Sequence, residues 1–437
     1  MTKRGLSSAF SSPSKQVKST SSQESVRNFA FLGGSPPAHS DAVSPGRRLL
    51  GTRMATAESL DAGDVASDLL VTEKIINDPI HTAIKLDKLS CRIVDTPQFQ
   101  RLRHLKQLGT CVFVFPSAMH TRFEHSLGVA HLSERVVRKL QLYQPELGIT
   151  DVDILAVKIA GLCHDLGHGP FSHVYDGVFI KEMFPNGLDG EGSKWRHEDG
   201  SVAMFRYMLA DNDISLQRYG LSANDQEFIE EIIGGTMERK RIGRAPDKFY
   251  LYDIVNNTRS GLDMDKLDYF QRDMRFSNVT FAANFERFIE LGRVLRALPV
   301  NDEDGTYFTR DHSGGWASQS SVDVDSSLSP SGTRPSSSSE KDGYQLTICY
   351  PQKLVFEAID MFSVRFRMHK TVYTHKAVKQ VEYMITDILR EANEHIRIKG
   401  KITDKFPSLA RSPFFLQVVY KSDEELLWAR EAGLLIA

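Results

Sequence analysis

The 437 residues carry 54 Lys and Arg against 56 Asp and Glu, a net charge of -2, with 41% hydrophobic residues. Such a chain is long enough for a large core in two or three domains, and its near-neutral balance gives no global basic field for nucleic acid, while a local patch stays open. The four cysteines (Cys91, Cys111, Cys163 and Cys349) lack CxxC spacing, which argues against a zinc ribbon or disulfide framework and fits a reducing compartment; no apolar run reaches the length of a membrane span or forms a secretory signal core.

Residues 1–68 read as a disordered tail, rich in Ser, Pro, Gly and Ala. Five Lys/Arg and one acid (Glu24) in the first forty residues have some transit-peptide character, beside the plainer reading of a solvated regulatory segment. Ser12-Pro13-Ser14-Lys15 and Ser44-Pro45-Gly46-Arg47-Arg48 have the pattern of proline-directed phosphorylation sites. Residues 69–300 then form the predicted folded core. Lys74 to His81 reads as a strand closed by a turn at Asn77-Asp78-Pro79. Thr96 caps a helix with Pro97 in its first turn, ended by Gly109. Val112 to Phe115 is strand-like, and Thr121 to Leu140 is helical. Asp151 or Asp153 caps a helix that is apolar nearly all round from Ile154 to Leu162, the signature of a buried central helix. Further helices are predicted near 198–211, 223–235, 249–257, 263–271 and 282–297. Residues 301–342 read as a disordered Ser-rich insertion. Residues 343–437 continue the helical fold, with a strand at Tyr344 to Tyr350, long helices from Phe356 to Asn393, a strand at Phe414 to Tyr420 and a short terminal helix. The expected fold is mostly α, a helical bundle with a few short β strands.

The central helix runs into Ile159-Ala160-Gly161-Leu162-Cys163-His164-Asp165-Leu166-Gly167-His168-Gly169-Pro170-Phe171-Ser172-His173. The His164-Asp165 doublet offers a neutral nitrogen and an anionic oxygen from adjacent positions, which suits a divalent metal. Alone it reads more readily as a helix end whose histidines cap and pack. Three other stretches join it: His120 to Gly128, with His125 one turn beyond Arg122; Lys194-Trp195-Arg196-His197-Glu198; and Asn256 to Asp273, with Asp265.

The order His125, His164-Asp165, Asp265 resembles the HD-domain metal-dependent phosphohydrolases. More closely, from about Lys74 to Asn393 apart from the insertion, the chain resembles the catalytic core of the SAM-and-HD-domain deoxynucleoside triphosphate triphosphohydrolases. The strings Asp95 to Arg103, Arg122 to Gly128 and Ile159 to His173 carry that resemblance. It implies a helical HD-domain bundle that hydrolyses a dNTP to deoxynucleoside and intact triphosphate. The implied metal ligands are His125, His164, Asp165 and Asp265, holding one divalent ion (Fe, Zn, Mn or Mg), with Mg a candidate companion of the nucleotide. Arg122, Lys266 and Arg365 would clamp phosphate oxygens. His168 and His197, with Asp176, would transfer protons, and His173 would stand beside the reacting phosphate. Gln107 would bond the sugar 3′-hydroxyl, Tyr269 would exclude a 2′-hydroxyl, Asp273 would hold the sugar end and Tyr373 would lie near base and sugar. Lys74, Asp95, Gln100 and Arg103 match an activator site for GTP or dGTP, which implies a homo-oligomer, dimer or tetramer.

The tail is too short and polar for a SAM domain, and only part of the family's C-terminal lobe is expected. Resemblance favours nucleus and cytoplasm, while the basic start keeps an organelle open. Two rival functions are an HD phosphodiesterase acting on another nucleotide and a catalytically weak protein binding nucleotide or single-stranded nucleic acid.

Overall fold

The structure is a computed structural model that describes residues 69–186, 195–235, 241–257, 259–280, 285–297, 307–310, 316–319 and 345–395. The N-terminal tail, the strand expected at Phe414 to Tyr420 and the terminal helix lie outside the described residues. What is described is mostly α-helix, with antiparallel strand pairs as its only sheets.

Strands β1 (Lys74–Asp78) and β2 (Thr82–Leu86) form a hairpin, Asp78 opposite Thr82. Helix α1 (Lys88–Val94) starts on Asp87, whose side chain accepts from Ser90 N. Thr96 accepts from Phe99 N and Pro97 opens the short helix α2 (Pro97–Gln100), as expected; the chain continues as a 3-10 turn, Arg101–His104, instead of a helix reaching Gly109. The strand-like piece at Val112 to Phe115 is in fact a 3-10 turn, Gly109–Phe113. Gly109 sits at φ 51°, in the left-handed region, and among the described residues no strand pairs with the apolar run.

Two long helices make the centre. Helix α3 (Arg122–Tyr143) begins at Thr121, whose backbone N–H donates to Glu124 Oε2 at 3.1 Å. Helix α4 (Asp151–Cys163) is capped by Thr150, not by Asp151 or Asp153; Asp153 is the other half of that capping box. Every residue from Asp153 to Cys163 is buried. The one lysine among them, Lys158, is paired with Asp87 at 2.8 Å and Glu134 at 2.7 Å. Gly161 lets α3 and α4 approach: a Cβ there would lie 3.0 Å from Ser133 Oγ and 3.3 Å from Val129 Cγ1.

Around this pair stand α5 (Ile180–Met183), α6 (His197–Asp211), α7 (Ala223–Gly234) and α8 (Met264–Ser277). Residues 246–253 form a 3-10 segment begun by Pro246, where an α-helix was expected. The expected helix at 282–297 divides at Gly292 into α9 (Glu286–Leu291) and strand β3 (Arg293–Ala297). Inside the insertion β4 (Tyr307–Arg310) pairs with β5 (Trp316–Gln319), a pairing its composition did not suggest; the rest of 301–342 lies outside the described residues. Strand β3 pairs with β6 (Gln345–Cys349), so Ala297 and Gln345 are register partners and the insertion leaves and re-enters at adjacent points. Helices α10 (Val355–Met368) and α11 (Lys376–His395) follow. Met361, Val364, Met368, Val372, Val378 and Leu389 join the same buried apolar cluster as α3 and α4. No helix is long and apolar enough to cross a membrane among the described residues.

Candidate active site and metal centre

Three helix ends meet at the site. His125 lies in the first turn of α3, His164 and Asp165 follow the last turn of α4, and Asp265 lies in the first turn of α8, whose N-cap Asp263 accepts from Lys266 N. Starting helices suit carboxylates because their unpaired N–H groups carry partial positive charge. His125 Nε2 lies 3.0 Å from Asp265 Oδ1 and 3.7 Å from Asp165 Oδ2; His164 Nε2 lies 3.6 Å from Asp265 Oδ1 and 3.4 Å from Asp165 Oδ1. All four predicted ligands therefore come together.

Both histidines are oriented from behind. His125 Nδ1 donates to Asp268 Oδ2 at 2.8 Å, and His164 Nδ1 donates to the Gly161 carbonyl at 2.8 Å. The tautomer is thereby set, and each Nε2 lone pair faces inward. Both Nε2 atoms are buried with no hydrogen-bond partner among the described residues. Orphaned acceptors facing two carboxylates fit a divalent metal, and nitrogen with carboxylate oxygen is a donor set for Fe, Zn or Mn. Burial opposes a charge on His125, but Asp265 and Asp268 outweigh it and lift its pKa to about 10, so a proton and a cation compete for the same nitrogen. Burial also opposes ionisation of Asp165, yet His164 and Arg122 hold its carboxyl well below the usual range.

Asp268 was not singled out from sequence. It is fully buried and serves four donors: His125 Nδ1, His81 Nε2 at 2.6 Å, and Arg272 Nε and Nη2 at 2.9 Å each. Arg272 also bonds Asp78 at 2.8 Å, which anchors the β1–β2 turn. The available signal was Asp268 and Arg272 at i,i+4 on a helix already carrying Asp265.

A second group adjoins the first. His168 Nε2 lies 3.3 Å from Asp165 Oδ1, and the His168 and His197 rings stack at 3.9 Å. His197 Nδ1 donates to Asp176 Oδ2 at 2.9 Å. Burial, Arg122 and His197 push the pKa of His168 far down; burial also opposes charge on His197, but Asp176 and Glu198 raise its pKa. Two stacked imidazoles are thus driven to opposite protonation states, the pattern of a base beside an acid. His173 is largely exposed, with Nδ1 3.6 Å from Asp176 Oδ1. Phe171 (φ 60°) and Ser172 (φ 53°), in succession in the left-handed region, set this turn; such strain is held only where neighbours fix it. Ser172 Oγ accepts from Arg122 Nε at 3.1 Å and donates to the Lys106 carbonyl at 2.9 Å.

A cavity of about 550 Å³ opens over both groups, lined among others by Gln107, His164, Asp165, His173, His197, Asp265, Lys266, Tyr269, Asp273 and Tyr373. Lys266 Nζ bonds Asp263 Oδ2 at 2.6 Å. Burial, opposed by Lys266, raises the pKa of Asp263 to about 6. Arg122 and Arg365 do not line this cavity. Arg122 is buried with its Nη1 on Asp165, and Arg365 is exposed on α10. Asp176 and Tyr373 lie in π-helical turns, Tyr175–Phe179 and His369–Tyr373, irregularities that recur at functional sites. The residues expected at an activator site lie elsewhere: Lys74 Nζ is 3.7 Å from Asp95 Oδ1, Arg103 Nε donates to Gln100 Oε1 at 2.8 Å, and the Arg103 guanidinium covers the Phe123 ring at 3.5 Å.

Comparison with known proteins agrees with this geometry. The HD domain family matches residues 122–273, a span holding all four predicted ligands. The chain is 38% identical over 381 residues to the human deoxynucleoside triphosphate triphosphohydrolase SAMHD1, covering 82% of this chain and 53% of that protein. It is 33% identical to the Dictyostelium discoideum SAMHD1 homolog over 81% of this chain and 56% of the homolog. A putative HD domain-containing protein of Acanthamoeba polyphaga mimivirus is 30% identical over 76% of this chain and 60% of its own length. The chain spans about half the length of the curated SAMHD1 relatives it matches. Residues 122–273, which bring these two histidines and two aspartates together at three helix ends, therefore form an HD domain, and over most of its length the chain is similar to the SAMHD1 proteins.

Proposed function

We propose that the chain is a metal-dependent dNTP triphosphohydrolase that converts a dNTP and water to deoxynucleoside and triphosphate. One observation carries this reading: two buried imidazole nitrogens, without a hydrogen-bond partner among the described residues, face two carboxylates beneath a cavity of about 550 Å³. Its volume suits a nucleotide-sized ligand. His125, His164, Asp165 and Asp265 would hold the metal, which when bound acidifies water and polarises a phosphoryl oxygen.

The protein's own groups divide the remaining work. His168, kept neutral, accepts a proton; His197, kept charged by Asp176, gives one to the leaving O5′ as the bond from α-phosphorus to O5′ breaks. Lys266 offsets negative charge on the phosphates, and Arg122 acts through Asp165, which it fixes. Arg365 joins the phosphate clamp if its exposed side chain folds inward on ligand. Tyr269 closes the space beside the sugar C2′, while Gln107, Asp273 and Tyr373 take the 3′-hydroxyl end.

The surface cluster of Lys74, Asp95, Gln100 and Arg103 supports a GTP or dGTP activator site. Self-association is supported by α10, where Val355, Ile359, Phe362 and Phe366 are exposed at alternating four- and three-residue spacing, the seam of a helix that packs on another helix. The compartment that goes with this reading is nucleus or cytoplasm. The test is the purified chain with manganese and dGTP: inorganic triphosphate as product supports the reading. Phosphate or pyrophosphate overturns it in favour of another HD phosphohydrolase. Absent turnover that matches the His164→Ala, Asp165→Ala double variant, with nucleic-acid binding retained, favours a binding protein.

A further inference from the structure

We propose that His120 is a positioning residue that holds the sugar end of the site in register; the inference rests on the deoxyribose reading of that end. His120 is buried and precedes Thr121, the cap of α3. Its Nε2 donates to Asp273 Oδ1 at 2.7 Å, and the Tyr373 hydroxyl donates to Asp273 Oδ2, also at 2.7 Å. Each oxygen of this cavity-lining carboxylate is thus fixed by a different segment, the loop before α3 and the π-turn after α10. A carboxylate oxygen that takes one N–H keeps a second lone-pair direction, so Asp273 can still accept a hydroxyl. The His120 ring stacks on Phe276, one turn along α8 from Asp273, at 4.8 Å and 17°. That contact fixes the ring plane and hence the line of its N–H.

The same residue also holds the second sugar-end group. The His120 carbonyl accepts from Gln107 N at 3.0 Å. Gln107 lines the cavity, and its Oε1 is buried with no partner among the described residues. An orphaned acceptor is costly unless a ligand donor completes it. His120 does not itself line the cavity. It acts through two neighbours, with its side chain on Asp273 and its backbone on Gln107, and one turn later the same chain supplies His125. A core histidine that only fills space would share its burial and its stack, but not two separate bonds to groups facing the ligand.

The experiment compares a dNTP with the matching 2′,3′-dideoxynucleoside triphosphate, using the full chain with manganese. His120→Phe keeps a ring on Phe276 and removes the donor. His120→Gln keeps an N–H near the Nε2 position. For His120→Phe, kcat/KM on the dNTP falls about tenfold, mostly through KM, while the dideoxy substrate changes less than about twofold; His120→Gln recovers most of the loss. An equal loss on both substrates, or none on either, overturns the proposal, because a purely structural histidine cannot sense the 3′-hydroxyl. Should the wild type turn over no dNTP, the activity reading fails, and calorimetry with deoxyguanosine and 2′,3′-dideoxyguanosine decides this inference separately. A 3′-hydroxyl preference present in the wild type and lost in His120→Phe sustains it; no preference in the wild type ends it.

Discussion

Gly128→Ala separates local from tertiary control of α3. Gly128 lies inside the helix, where replacing glycine by alanine normally stabilises by about 1 kcal/mol. Here the added Cβ would lie 1.8 Å from Asp268 Oδ1 and 2.7 Å from Arg272 Nη2. The Asp268 carboxylate must move, breaking its bonds to Arg272 and to His125. Disrupting a buried ion pair costs roughly 3–5 kcal/mol, so the net expectation is a destabilisation of about 2–4 kcal/mol, opposite in sign to the helix effect. Losing the support behind His125 Nδ1 lowers metal affinity by roughly 10–100-fold. Urea unfolding with and without chelator, together with metal content by elemental analysis, measures both effects. The stability loss persists in chelator, because Asp268, Arg272 and Asp78 belong to the fold itself. A variant as stable as wild type with full metal content would refute the reasoning.

Two further predictions concern pH. Asp176→Asn removes the carboxylate that lifts the pKa of His197; the alkaline limb of kcat moves to lower pH and kcat drops about 100-fold, and a pH-rate profile with an unmoved limb contradicts the assignment of His197 as acid. Asp153, bound by Lys248, Thr150 N–H and Arg244, has its pKa lowered despite a burial penalty. Its stabilisation is therefore complete above the unfolded value of about 4 and is lost as pH falls through the lower folded value. Asp153→Asn flattens the acid limb of a stability-pH curve measured by urea titration; an unchanged slope below about pH 4 counts against the network.

The long helices were legible because their apolar periods extend over many turns, as from Ile154 to Leu162. Short apolar runs were less so: the strands at Lys74–Asp78 and Gln345–Cys349 were read correctly, but one run was not. Val112 to Phe115 reads as a strand by composition, but whether it is one depends on a neighbour that no local pattern reveals. Division of the predicted helix at 282–297 turned on Gly292 and on β6 arriving from beyond the insertion. At the site, residues whose chemistry requires them were visible as His, Asp, Lys and Tyr in motif strings. Those acting from behind were hidden: Asp268 resembles any helical aspartate until His81, His125 and Arg272 are seen around it. His120 is hidden in the same way, its two partners, Asp273 and Gln107, lying in separate segments.

His125, the His164-Asp165 pair and Asp265 come from three helices that the chain reaches far apart in its course. A cation held by all of them is a cross-link, joining the core hairpin of α3 and α4 to α8 at one point. Folding and loading are then linked by mass action: a hundredfold excess of metal over its dissociation constant adds about 2.7 kcal/mol to the folded state. Scarcity of metal therefore removes protein as well as turnover, since unloaded chains unfold more often and are exposed to proteolysis. Cellular abundance of this protein should track metal supply even in variants that cannot turn over substrate, provided their four ligands are intact.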